Sequence, residues 1–317
     1  MLRKTIRKIH HSISPFIKFN FSFGFWLFMS KLERKILPRT ISFFTTKLHA
    51  EIIKYLSTKY ADIVSEFKNE FCDINDDISP SSTIWIFWWD GIECMPDIVK
   101  ACYDSVQRHK KTYSVQLVTK YNYKNFVSMP EYIMKKLDSK TMSITHFSDI
   151  LRVSLLYEYG GIWMDATILV TDTINFDGFK FWTMKRNNKT NHVSQARWTT
   201  FLFAVGSKNI ILFDFIKKMF YAYWKDYDEV IHYFLFDYIV STAYLCIPKV
   251  RLLFDSVPYS NPDIYWIQNN LNEEYSDSLF KQYCSQITFH KLSWKKKNVI
   301  YTPEGKPTFY GHILTMQ

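Results

Sequence analysis

At 317 residues, with 47% hydrophobic and 22% charged side chains, the chain has the make-up of a folded globular protein, which excludes a disordered or low-complexity one. The formal net charge of +10 sits at one end: residues 1–60 hold 12 Lys or Arg against Glu33 and Glu51, leaving 28 basic and 28 acidic residues in the remainder. A nucleic-acid enzyme spreads basic residues over its binding face, so this distribution argues against nucleic acid and for an anionic membrane surface met by residues 1–40. Five scattered cysteines (Cys72, Cys94, Cys102, Cys246 and Cys284) form no CxxC pair. They read as reduced thiols of a cytoplasmic protein rather than a zinc site or a disulfide framework.

In chain order, Leu2, Ile6, Ile9 and Ile13 recur at helical spacing, with Arg3, Lys4, Arg7 and Lys8 on the other face. This predicts a short basic amphipathic helix ended by Pro15. Residues 19–30 carry Phe19, Phe21, Phe23, Phe25, Trp26 and Phe28 without a charge. A spanning helix needs about 20 residues, so this stretch is too short to cross a bilayer, and it lacks the small-residue cleavage site of a secretory signal. Insertion among lipid headgroups and packing onto the main domain both remain open for it. Residues 45–70 read as a second helix with Leu48, Ile52, Tyr55, Leu56, Ile63 and Phe67 inward. The polar run 73–82, DINDDISPSS, breaks the pattern. A helical, basic N-terminal segment over 1–79 and a main domain over 80–317 follow.

From residue 83 the pattern changes. Residues 83–88, TIWIFW, are dense in β-branched and aromatic side chains and read as a buried strand. A helix over 96–108, a strand over 114–118 and a helix over 148–159 come next. Gly160 and Gly161 end that helix, and short strands follow at 162–164, 168–170, 181–184 and 200–205. Two more helices are expected over 209–224 and 229–244. Strands alternating with helices imply an α/β domain with a largely parallel sheet. The sequence holds no GxGxxG, P-loop or GxSxG elbow.

The stretch most informative about chemistry is 148–167, SDILRVSLLYEYGGIWMDAT. Asp149 and Arg152 are three apart on a helix and share a face. Two glycines then allow a tight turn, and a short apolar strand delivers Asp165 to its carboxyl end, where open α/β sheets bind ligands. On the residues alone, a surface ion pair and a turn aspartate remain an alternative.

The segments IWIFWWDG (84–91), SDILR (148–152), GGIWMDAT (160–167) and ARWTTFLFA (196–204) resemble the capsular polysaccharide synthesis glycosyltransferases, with FHKLSWK (289–295) extending the likeness. That group is related to sugar transferases with a DxD motif and to glucosylating bacterial toxins. The resemblance implies the glycosyltransferase A fold, a Rossmann-like domain with a mostly parallel central sheet. It implies that Asp149 meets hydroxyls of a UDP-sugar donor, that Arg152 steadies the sugar diphosphate, and that Asp165 is the first acid of the DxD, holding ribose and Mn²⁺ or Mg²⁺. Trp88 would lie near the base, and Trp163 would line the donor pocket or belong to the core. The second acid is replaced, giving Asp165-Ala166-Thr167, so beside Asp165 the motif offers only the weaker hydroxyl of Thr167, and the diphosphate oxygens would supply most of the metal's ligands. His290 is a further metal candidate, or a structural histidine. Trp294 with Lys295, Lys296 and Lys297 would fold over the diphosphate or form a solvated face. Asp237, in YFLFDYIV, would face a sugar or sit in a buried ion pair. His192, Gln195 and Arg197 are candidates for the acceptor side.

The function implied is transfer of a sugar, with retention, to a growing capsular polysaccharide. The acceptor would be a lipid-linked repeat unit at the cytoplasmic face of the cell membrane, with the protein peripheral and not secreted. The alternatives are a nucleotide-sugar hydrolase, a toxin-like protein glycosyltransferase, and a non-catalytic membrane-surface or carbohydrate-binding module.

Overall fold

The computed structural model describes Phe19 and residues 21–36, 42–68, 82–187, 190–260 and 263–316. The basic helix expected over 1–15, Cys72 and most of the polar run 73–82 lie outside the described residues. Three helices come first: α1 (Phe21–Ile36), α2 (Phe43–Lys59) and α3 (Ala61–Lys68). The single helix expected over 45–70 breaks at Tyr60, which leaves helical geometry (φ −114°, ψ 39°). Its ring is buried and its hydroxyl donates to Asp226. Leu48, Ile52 and Leu56 of α2 and Phe67 of α3 are buried, as the periodicity predicts.

The α/β body follows as β1 (Thr83–Phe87), α4 (Asp97–His109), β2 (Ser114–Val118), α5 (Glu131–Asp138), α6 (Ile144–Tyr159), β3 (Gly161–Met164), β4 (Ile168–Val170), β5 (Phe181–Thr183), β6 (Lys185–Arg186) and β7 (Leu202–Val205). Then come α7 (Ile211–Asp226), α8 (Leu235–Cys246), α9 (Pro248–Ser256), β8 (Tyr259–Ser260), α10 (Trp266–Asn270), α11 (Asp277–Cys284), β9 (Phe289–Lys291) and α12 (Phe309–Thr315). Five strands form the central sheet in the order β2-β1-β3-β7-β5. β1 runs parallel to β2 and β3, whereas β7 is antiparallel to both β3 and β5. Four strands therefore share one direction, which is the mostly parallel α/β sheet expected from the alternation of elements.

Two local differences from the sequence reading have visible causes. Helix α6 starts four residues early because Ser143 caps it, its side chain accepting from the His146 N–H at 3.3 Å. Helix α8 starts only at Leu235 because the preceding turn is tied to Tyr223, whose hydroxyl donates to the Glu229 carbonyl (2.8 Å) and accepts from the Ile231 N–H (2.6 Å).

The N-terminal helices join the body through α2, where His49 Nδ1 lies 2.7 Å from the Tyr238 hydroxyl of α8. Helix α1 is two-sided. Phe23, Ser30 and Glu33 are buried, and the Glu33 carboxylate accepts from the Phe44 and Thr45 N–H groups (both 2.9 Å), capping α2. Phe21, Phe25, Phe28, Leu32 and Ile36 form an exposed stripe on the same helix. Among the described residues no helix is long and apolar enough to cross a membrane.

Candidate active site

Asp165 is placed by a chain of local constraints. Gly160 ends α6 at φ 67°, and a Cβ there would meet the Ser207 carbonyl oxygen at 3.0 Å, so the turn into β3 needs glycine. All four residues of β3 are buried, and β3 is held on one side by β1 and on the other by β7. Asp165 follows at its carboxyl end, its N–H donating to the Phe201 carbonyl (2.9 Å) and its carbonyl accepting from Ile168 (3.0 Å).

Arg152 reaches the same point from α6. Its Nη2 lies 3.3 Å from Asp149 Oδ1 and 3.5 Å from Asp165 Oδ1, and its Nη1 donates to the Thr200 carbonyl. The guanidinium is stacked against Trp163 (4.9 Å) and Phe236 (5.1 Å) and is 5% exposed, so its fork is fixed before any ligand arrives. Trp163 also donates from Nε1 to Asp165 Oδ1 (2.9 Å). The second cation comes from β9. Lys291 pairs in register with Ile168 of β4, and its Nζ stands 2.7 Å from both Asp165 Oδ2 and Thr167 Oγ1. Burial alone would raise the pKa of Asp165, but Lys291 and Arg152 beside it hold its carboxyl below the usual range.

These groups form the floor of a cavity of about 690 Å³, within the range of small-molecule sites. Trp88, Arg152, Trp163, Asp165, Thr167 and Trp294 all line it. Trp163 is thus both core and wall, at 2% exposure. At the mouth Trp88 and Trp294 meet edge to face, ring centroids 5.8 Å apart, and Trp294 keeps 45% of its surface exposed. Lys295 lines the mouth, while Lys296 and Lys297 are solvated. Gln268 lines the cavity too, with Nε2 buried and unpartnered among the described residues.

Other expected site residues are not brought to the wall. Asp149 stands behind Arg152 and close to His146 (3.6 Å), bracing the guanidinium rather than lining the cavity. Asp237 is buried in α8, accepts from Trp198 Nε1 (3.0 Å) and lies 3.9 Å from His192 Nε2. Burial, with the Asp149 charge adding to it against the Trp198 hydrogen bond, pushes its carboxyl up to about 7. His192, Gln195 and Arg197 also stay off the wall. Arg197 instead stacks on Tyr244 at 4.4 Å, and Gln195 and Ala196 both have positive φ in this loop.

His290, expected as a metal candidate or a structural histidine, is fully buried on β9 and off the cavity wall: its Nε2 lies 3.1 Å from the Thr171 hydroxyl, and burial lowers its pKa to about 4. Alternation along the strand turns the next residue, Lys291, to the cavity instead. Sequence reasoning quoted FHKLSWK but passed over Lys291, and it had no signal for Gln268. The donor set also does not fit the expected Mn²⁺ or Mg²⁺. Asp165 Oδ2 and Thr167 Oγ1 are already bound to an ammonium, and the nearby Asp90 is paired with Lys120 at 2.7 Å. Among the described residues no group of three or more His, Cys, Asp or Glu side chains stands where it could hold a metal.

An α/β domain with a charged, aromatic-lipped cleft at the carboxyl ends of parallel strands belongs to the class of folds that present a small-molecule site there. The match to the capsular polysaccharide synthesis protein family runs over residues 34–313, and the chain belongs to that family. Among solved structures, the chain is similar to one titled PaToxG glycosyltransferase, at 14% identity and TM-score 0.37, covering 64% of this chain and 81% of that one. It is similar also to a WbbM bifunctional glycosyltransferase in its apo structure, at 10% identity and TM-score 0.38, covering 78% of this chain and 51% of that one. No curated protein matches the chain.

Proposed function

We propose that this chain, a glycosyltransferase of capsular polysaccharide synthesis, takes its sugar from a nucleotide diphosphate sugar, with uridine diphosphate the favoured carrier. The acceptor in this reading is a lipid-linked glycan at the anionic inner face of the cell membrane. The observation that carries the proposal is the convergence of two cationic side chains, Arg152 and Lys291, on Asp165 beneath the Trp88–Trp294 pair. Fixed cations suit the anionic diphosphate, and the aromatic lip suits a flat base. As the glycosidic bond breaks, the leaving diphosphate gains negative charge. Cations already in place stabilise that charge more in the transition state than in the ground state. Retention of anomeric configuration is expected by analogy with related families.

Two features support the membrane acceptor. The stripe Phe21, Phe25, Phe28, Leu32 and Ile36 on α1 faces outward, with Lys31, Arg34 and Lys35 on the same helix. That combination suits a helix lying at an anionic interface. The test of the donor is nucleotide release from a panel of UDP-, GDP- and ADP-sugars by the full chain. Release from one UDP-sugar, lost in Arg152→Met, is expected. Release from GDP- or ADP-sugars alone would replace the carrier, and release from none would overturn the reading.

A further inference from the structure

We infer that Lys291 supplies the positive charge that binds the donor diphosphate, in the place where the family resemblance puts a divalent metal ion, and that donor binding therefore needs no metal. The inference rests on the nucleotide-sugar reading above and deepens it. Its ground is a substitution of one kind of cation site by another within the same few atoms. Of the DAT motif, the two groups able to ligate a metal are the Asp165 carboxylate and the Thr167 hydroxyl, and the Lys291 ammonium lies 2.7 Å from an oxygen of each. The other carboxylate oxygen of Asp165 faces Arg152 and Trp163. A dication entering here would meet two fixed cations and one carboxylate, and His290, the remaining ligand candidate, faces away.

Backbone pairing sets where the lysine stands. Its strand is tied to the motif on both sides of the side chain: Ile168 of β4 pairs with Lys291, and the Leu292 N–H donates to the Thr167 carbonyl at 2.9 Å. The Lys291 N–H donates to the Ile264 carbonyl (2.9 Å), and the ammonium lies 5.0 Å from the Phe201 ring centroid. An ammonium has three donors. Two point to Asp165 and Thr167, and Lys291 lines the cavity, where the third can meet an anionic phosphate oxygen. Gln268 lines the same cavity, its Oε1 accepting from the Ser293 N–H two residues beyond Lys291.

In the reaction the bond between the anomeric carbon and the diphosphate oxygen breaks, with its electron pair leaving on the diphosphate. The acceptor hydroxyl oxygen bonds to that carbon, and its proton passes to the departing diphosphate. Lys291 and Arg152 together oppose the charge that develops on the leaving group.

The test is calorimetric titration of the full chain with UDP, GDP and ADP, in excess chelator and again with Mn²⁺. Lys291→Met and Lys291→Arg are measured beside the wild type, with thermal melts to establish that each is folded. One nucleotide should bind with the same affinity in both conditions. Lys291→Met should weaken it about 10- to 100-fold in both, the loss of one charge-assisted hydrogen bond. Lys291→Arg, which keeps the charge, should recover most of the affinity. Binding that requires Mn²⁺ overturns the inference while leaving the nucleotide-sugar reading in place, as does wild-type affinity in a folded Lys291→Met. Binding of no diphosphate in either condition overturns both.

Discussion

Two aspartates, one partly exposed at the end of β3 and one buried in α8, show how differently the same side chain behaves in two regions of this molecule. Asp165 is held below the usual carboxylate range by Lys291 and Arg152, which outweigh its partial desolvation, whereas Asp237 is pushed up to about 7 by burial, with the Asp149 charge adding to it. Two cations beside Asp165, and the deeper burial of Asp237, decide which acid is charged at neutral pH. Asp165 belongs to a wall built to hold opposite charge. Asp237 belongs to a helix whose polar needs are met by Trp198. Of these two sequence candidates for chemistry, then, one stands in the cleft and the other behind it.

The largest expected break in this contrast comes from Arg152→Met. It removes the charge that both Asp149 and Asp165 face; Asp165 keeps Lys291, but Asp149 loses its guanidinium partner, at a cost of about 1–3 kcal/mol in stability. Nucleotide release should fall by about 10²–10³. Urea midpoints and single-donor rates measure the two effects separately. Trp294→Ala tests the aromatic lip, where loss of one stacking face should weaken UDP by about 1–3 kcal/mol. With Trp294 45% exposed, the melting temperature should hold.

The two aspartates should also part company with pH. Asp237 has a folded pKa raised above its unfolded value, so the stability it lends is full below the usual carboxylate range and is lost as pH rises towards about 7. Asp237→Asn should flatten that decline between pH 4 and 7, by at most about 1.4 kcal/mol per pH unit. Asp165 has the opposite sign: its contribution is present above the unfolded value and is lost as pH falls through the depressed folded one. Across that range Asp237→Asn should gain on the wild type as pH rises towards 7, whereas Asp165→Asn should melt below it throughout and approach it only as pH falls through the depressed value. The smallest effect is expected at the periphery. Replacing Phe21 and Phe28 by Ser should lower partition onto phosphatidylglycerol vesicles roughly tenfold without changing nucleotide binding.

The part of the site that the sequence made legible is the part that is local. Asp149, Arg152, the glycine turn and Asp165 fall within 20 consecutive residues, where helical spacing and strand polarity place each side chain. Lys291 lies 126 residues from Asp165 and reaches it through a three-residue strand. His290 and Lys291 are neighbours on that strand, and a shift of one residue is enough to move a side chain to the opposite face, so the pattern alone does not say which of them meets the cavity. Asp237 could not be sorted from the sequence, because an acid in an apolar helix has the same pattern whether it serves a ligand or a buried tryptophan. The exposed face of α1 was foreshadowed by its aromatics, but its division into a packed side and an open side depends on Glu33 capping a helix that begins ten residues later.

The most direct measurement of the central claim is transfer of labelled sugar from a UDP-sugar into organic-extractable product, by the full chain with a lipid-linked acceptor fraction. Label entering that fraction with the wild type, and failing to enter it with a folded Arg152→Met, is the predicted result. Transfer undiminished in that variant, or no transfer from any nucleotide sugar, would contradict a donor site built on Arg152, Asp165 and Lys291.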